Sequence, residues 1–236
     1  MKKSFVILIL LVFTLNGLWS QQKSDVRIPL IGEDAPSFTA QSTDGELTFP
    51  NDYGLKWKIL FSHPKDFTPI CSSEVLELAQ MQSDFDKLNT RLVVLSPDPV
   101  SEHLSWKSAL DTLKYKNREP AKIKFTFVDD SNLNISRRYG MLHSPTSTER
   151  DIRGVFIIDP YNKVRATFFY PMEIGRNLNE IERTLIALQT HDKQNVLTPA
   201  NWNPGDDVFL PYADNNSKKD PNVYNISWFM IGKKMN

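Results

Sequence analysis

The chain has 236 residues, 40% hydrophobic and 24% charged, and its 28 Lys and Arg balance 28 Asp and Glu to a formal net charge of zero. That balance gives no call for nucleic acid, whose binders usually carry a basic stripe, and the length suits one large domain or one domain with an appendage. A single cysteine, Cys71, excludes an internal disulfide and a C-x-x-C redox pair.

In chain order, the first feature is a basic start, MKKS, followed by the apolar run FVILILLVFTL from Phe5 to Leu15. This is the layout of a secretory signal, and the run is short for a helix crossing a hydrocarbon core of roughly 30 Å. Cleavage after Ser20 and export are expected, with an uncleaved membrane anchor as the alternative because Leu18 matches the small-residue preference poorly. WKILFS (57–62) reads as a strand stopped at His63-Pro64. From Pro69, the residues Val75, Leu76, Leu78, Ala79, Phe85 and Leu88 form one apolar helical face, with proline acceptable in a first turn. RLVVLSP (91–97) is a buried-type strand, and SEHLSWKSALDTLKY is an amphipathic helix that Ser101 is placed to cap. KFTFVDD is a strand and turn, with a short helix near Leu133–Tyr139. GVFIIDP and VRATFFYP flank a turn and form a hairpin, and NLNEIERTLIALQTH is an amphipathic helix.

Strands alternating with helices, then a closing hairpin and helix, imply an α/β layer fold with a mixed central sheet. The expected division is a signal over 1–20, an α/β domain over 26–192 and an extension over 193–236. The extension is rich in proline and asparagine with isolated aromatics. It reads as an arm that packs on another surface, a second subunit. Trp106, Trp202 and Trp228 are expected to be core or interface anchors.

Cys71 falls in the first turn of the helix that opens at Pro69. Backbone N–H groups there lack intrahelical partners and the helix dipole is positive, so both favour a thiolate over a thiol. The Thr68 hydroxyl lies three residues earlier, on the turn into the helix. A partly shielded thiolate beside a hydroxyl suits attack on a small electrophile. The four histidines (His63, His103, His143, His191) are scattered, with only His63 near in sequence, so a cysteine–histidine acyl transferase fits less well. Metal-binding spacings and a G-x-S-x-G elbow are absent.

The stretch HPKDFTPICSSE resembles the active-site loop of the peroxiredoxins, P-x-x-x-[TS]-x-x-C, through Pro64, Thr68 and Cys71. HLSWKSAL, YPMEIGRNLNEIERTLIALQ and TPANWNPGDDV extend the likeness to the long, single-cysteine group, the 1-Cys peroxiredoxins, from about Pro29 to the C-terminus. The resemblance implies a thioredoxin-like fold with a C-terminal extension, and a homodimer joined through a sheet edge and the C-terminal arm. It implies a peroxidase acting on hydrogen peroxide and organic hydroperoxides, needing no bound cofactor but an external thiol or thioredoxin-like reductant.

By the same resemblance Cys71 is the peroxidatic nucleophile, Thr68 its hydrogen-bonding neighbour and Pro64 the shield of the pocket. Arg153, in DIRGVFIID, is the distant arginine. Glu74 and Arg176 belong to the network that positions it, and His63 is the histidine before the proline. Relatives that hydrolyse phospholipids carry G-x-S-x-G before the active-site strand; GLKWK here has Lys56 in place of serine, so no lipid hydrolysis is expected. A non-enzymatic redox sensor or holdase, switched by oxidation of Cys71, is the rival reading.

Overall fold

A computed structural model describes residues 27–211 and 220–235. The signal read over residues 1–20 lies outside them. Seven strands form one mixed sheet in the order β2-β1-β5-β4-β3-β6-β7. They are β1 (Phe38–Ser42), β2 (Gly45–Phe49), β3 (Trp57–Ser62), β4 (Thr90–Ser96), β5 (Thr126–Asp129), β6 (Arg153–Ile158) and β7 (Val164–Tyr170). The helices are α1 (Pro69–Lys87), α2 (Val100–Leu110), α3 (Asn134–Arg138) and α4 (Leu178–Gln194).

Every residue of β3 and β6 is buried, as expected of central strands covered on both faces. Side chains alternate between two cores. Ile59, Phe61, Leu92, Val94, Val155 and Ile157 meet α1, α2 and α4 on one face. Leu60, Val93, Leu95, Phe156 and Ile158 meet the β1–β2 hairpin and α3 on the other. This is the expected α/β fold with a mixed sheet.

Two connections decide where chemistry collects. β3, β4 and β5 run parallel, so the segment leaving β3 crosses to α1 at the carboxyl end of the sheet. β6 runs antiparallel to β3, with Phe61 paired to Val155. The start of β6 therefore lies beside the end of β3. A residue at 153 and a residue just past 63 meet although ninety positions of chain separate them.

Three features depart from the sequence reading. Helix α2 begins at Val100 with Pro99 in the capping position, so Ser101 sits inside its first turn. It stops at Leu110 and not near Tyr115, because Asp111 turns away to accept from the Ile123 backbone N–H. The β1–β2 hairpin, joined through Thr43 and Asp44, has no counterpart in that reading.

The C-terminal segment is more than an arm. β8 (Val208–Phe209), β9 (Val223–Ser227) and β10 (Met230–Lys233) form a small sheet, and Val196, Trp202 and Val208 build a cluster against Ile186 and Ala187 of α4. Trp106 and Trp202 are buried, whereas Trp228 at the β9–β10 turn is 92% exposed.

Candidate active site

Cys71 is the third residue of α1 and only 1% exposed. Pro69 opens the helix with its fixed φ, and Thr68 holds the extended capping conformation before it. Three residues into a helix, the sulfur lies among the N–H groups that lack intrahelical acceptors, at the positive end of the dipole. The helix cannot slide, because Val75, Leu78 and Phe85 are locked into the core.

The opposing charge comes from β6. Arg153 Nη1 lies 3.4 Å from Cys71 Sγ and donates to it, and the same nitrogen donates to Glu74 Oε2 at 2.9 Å. The Nε and Nη2 nitrogens both donate to the Met172 carbonyl, at 2.9 and 2.7 Å. With its fork closed at both ends, the guanidinium presents one nitrogen to sulfur in a fixed direction.

Glu74 is one helical turn from Cys71 and joins the two arginines. Its Oε1 accepts from the Arg176 backbone N–H at 2.8 Å and from Arg176 Nε at 3.0 Å; its Oε2 accepts from Arg176 Nη2 at 2.7 Å. Burial pushes the Glu74 carboxyl up, but the charge and hydrogen bonds of Arg176, with the charge of Arg153, outweigh it and hold it below the ordinary carboxylate value. Arg176 also donates from Nη1 to the carbonyls of Ser62 and Gly154. It thus clamps the end of β3 to the start of β6.

Thr68 is half-buried and its hydroxyl donates to the Lys65 carbonyl at 2.9 Å. Its hydroxyl hydrogen is thereby engaged, and its lone pairs remain for an incoming O–H. Pro64 is buried in the loop between β3 and α1. His63 does not turn to the sulfur. Its Nε2 meets Asp66 Oδ1 at 2.8 Å and its ring lies 5.1 Å from that of Trp106. Burial pushes its basicity down, against the opposing pull of Asp66.

The sequence reading names Cys71, Arg153, Glu74 and Arg176, and these four lie in one connected set. It does not name Asp66, Asp98, His103 or the Met172 carbonyl. Phe67, between Asp66 and Thr68, has φ 53°, a left-handed conformation costing about 1–3 kcal/mol in a bulky residue. The largest cavity described, about 830 Å³, lies at the opposite end of β3 between Trp57, Tyr161 and the end of α4, and none of the site residues line it.

Residues 31–167 match the AhpC/TSA family, and residues 187–220 match the C-terminal domain of 1-Cys peroxiredoxin. The chain belongs to the AhpC/TSA family, in its 1-Cys peroxiredoxin group. A peroxiredoxin of Methanosarcina mazei is 43% identical over 215 residues, 88% of this chain and 98% of that protein. Among solved structures, a yeast mitochondrial 1-Cys peroxiredoxin, resolved through the glutathione and thioredoxin systems, is 35% identical with TM-score 0.79. That match covers 88% of this chain and all of the other. Peroxiredoxin 6 of Arenicola marina gives TM-score 0.80 at 30% identity, over 88% and 98% of the two chains. The fold is therefore the thioredoxin-like peroxiredoxin fold with a C-terminal extension, and the chain is a thiol-dependent peroxidase.

Proposed function

We propose that this peroxiredoxin reduces hydrogen peroxide and organic hydroperoxides through Cys71 and is restored by an external thiol. The observation that carries this reading is the 3.4 Å approach of Arg153 Nη1 to Cys71 Sγ inside the first turn of α1. The thiolate attacks the hydroxyl oxygen of ROOH; the S–O bond forms as the O–O bond breaks. Cys71 becomes a sulfenic acid, and RO⁻ leaves to take a proton from water. Charge moves from sulfur to the departing oxygen, and a guanidinium fixed beside both stabilises that shift without reorganising. Thr68 accepts from the peroxide O–H, Pro64 keeps water from the sulfur, and Glu74 and Arg176 hold Arg153 in place. His63 supports the loop from behind.

Recovery takes two thiols. The first attacks the sulfenic sulfur, expels water and leaves a mixed disulfide; the second releases Cys71 as thiolate and departs in a disulfide. The yeast relative's glutathione and thioredoxin systems make a small thiol or a thioredoxin-like protein the class of reductant to test. A sulfur 1% exposed admits a peroxide more readily than a thiol, so resolution requires the first turn of α1 to open. We further propose export of the mature chain, operation without a bound cofactor, and a homodimer formed through a sheet edge and the C-terminal segment.

Single-turnover oxidation of Cys71 by hydrogen peroxide at neutral pH tests the reading. The rate should exceed that of a free cysteine by at least about a hundredfold, the scale of one preorganised donor. Steady turnover with added thiol should vanish in Cys71→Ser. Slow, stoichiometric oxidation coupled to a change in oligomer size would favour a sensor over an enzyme.

A further inference from the structure

Behind the loop that carries Pro64 and Thr68 lies a buried group of side chains centred on Asp66 and His103, neither of which the proposed reaction uses. Asp66 is fully enclosed, and its carboxylate is held from two sides: His63 Nε2 meets Oδ1 at 2.8 Å and His103 Nδ1 meets Oδ2 at 2.7 Å. Its backbone N–H donates to Asp98 Oδ2 at 2.8 Å, and that oxygen also accepts from Ser96 Oγ at 2.8 Å. Ser96 ends β4, Asp98 follows it and His103 is on α2, so two further parts of the fold hold this one loop residue.

His103 has a second contact. Its Nε2 lies 3.1 Å from the Val128 carbonyl on β5, an acceptor that can only receive. With the Asp66 carboxylate at one nitrogen and the Val128 carbonyl at the other, the ring ties the loop to β5. Burial alone would push the Asp66 carboxyl up, but the two histidines more than offset it and hold it below its ordinary value.

We infer that Asp66 is a positioning residue of the peroxide site, held by His103, and that its hydrogen bond to His103 sets where Thr68 and the first turn of α1 meet the substrate. The left-handed conformation of Phe67 supports this. Phe67 is 53% exposed, with its ring 6.4 Å from that of Trp106. Its own packing therefore does not hold the unfavourable backbone; such a conformation persists where neighbours over-determine it, and the neighbour so fixed is Asp66. The next residue is Thr68, whose hydroxyl faces the reacting oxygen in the proposed reaction. This inference rests on that reading and deepens it.

Two substitutions of similar volume separate positioning from packing. In His103→Asn the amide nitrogen can stand where Nδ1 stood and donate to Asp66. In His103→Gln it stands nearer Nε2, serving Val128 and leaving Asp66. The rate of Cys71 oxidation by hydrogen peroxide should fall about tenfold to a hundredfold in His103→Gln, the scale of a displacement near 1 Å, and recover most of that loss in His103→Asn. Asp66→Asn should slow the reaction to a similar degree, and adding His103→Gln to it should cost little more, because both remove one interaction.

Thermal melting of each variant shows whether it is folded. Equal rates in folded His103→Asn and His103→Gln, or additive losses in the double variant, would overturn the inference. If either His103 variant fails to fold, Asp66→Asn decides alone, and a folded Asp66→Asn with the wild-type rate overturns it. A wild-type protein whose Cys71 reacts no faster than a free cysteine would instead overturn the proposed function.

Discussion

Replacing Arg153 by methionine keeps the apolar stem and removes the cation that, among the described residues, donates to the nucleophile. A unit charge 3.4 Å from Sγ interacts by about 5 kcal/mol at an effective dielectric of ~20. Part of that field is already neutralised, because the same nitrogen donates to Glu74 at 2.9 Å. Removing one preorganised donor from a site of developing charge costs about 3 kcal/mol, or ~10² in rate, so the reaction should slow by that factor. Glu74 keeps its bonds from Arg176, so the carboxylate is not abandoned; the Met172 carbonyl loses its two donors. The assay is stopped-flow tryptophan fluorescence on mixing with peroxide, checked by the mass of one added oxygen. Trp106 is a suitable reporter because its indole N–H donates to Ser72, beside the cysteine. Arg153→Lys, which keeps charge but not the fork, should fall between wild type and Arg153→Met. A folded Arg153→Met variant slowed by less than tenfold, about 1.4 kcal/mol, would refute the argument that this guanidinium supplies the field.

Glu74→Gln leaves two buried guanidinium groups without their shared anion, and urea unfolding should show a loss of about 3–5 kcal/mol. Because the folded carboxyl sits below its ordinary value of 4.5, this stabilisation is complete above that pH and fades as the pH falls through the folded value; the wild-type advantage in melting temperature should shrink in acid. Asp151 is the opposite case. It is fully buried, and burial first, then Ser136 opposing and Asp130 and Asp98 adding, leaves it well above its ordinary 3.8. The folded state therefore keeps that proton more tightly than the unfolded chain, and wild-type stability declines as the pH rises from about 4 through the raised value. Asp151→Asn should gain on wild type over that window, and a melting difference independent of pH would contradict it. Trp228 and Phe229 are exposed at the β9–β10 turn with rings 5.3 Å apart, a patch that calls for a partner surface. Trp228→Ser with Phe229→Ser should shift the sedimentation of the proposed homodimer toward monomer without lowering the melting of the separate subunit.

The candidate nucleophile is legible in the sequence because its environment is local. Pro69, Thr68 and Cys71 are neighbours, and the physics of a helix start needs nothing more distant. Arg153 is different. An arginine opening a strand is ordinarily a surface ion pair, and only the family likeness singles it out before the antiparallel register of β3 and β6 is known. The hairpin over 38–49 announces itself with Asp44-Gly45, a strong turn signal, but its strands alternate weakly and the signal is easily passed over. In the C-terminal segment the strands are two to five residues long, at or below the short end of the run over which alternation emerges.

Asp66 and His103 are the instructive omissions. Asp66, in KDF, has the appearance of a solvated loop charge, and His103 of a polar residue on an amphipathic helix. Each becomes interpretable only against the other, since a buried carboxylate is tolerable where donors converge on it, and those donors come from 37 positions away as well as three. The same logic governs Glu74, which would be a poor choice for a buried helical face without Arg153 and Arg176. In this fold the sheet's topology gathers two anions, each between two basic side chains, on the near and far sides of one short loop. The pair at Glu74 directs a positive charge at the sulfur, and the pair at Asp66 holds the backbone against which that charge acts. Loosening either should cost rate through the same distance, the gap between sulfur, guanidinium and reacting oxygen. Combined changes on the two sides should therefore prove coupled rather than additive.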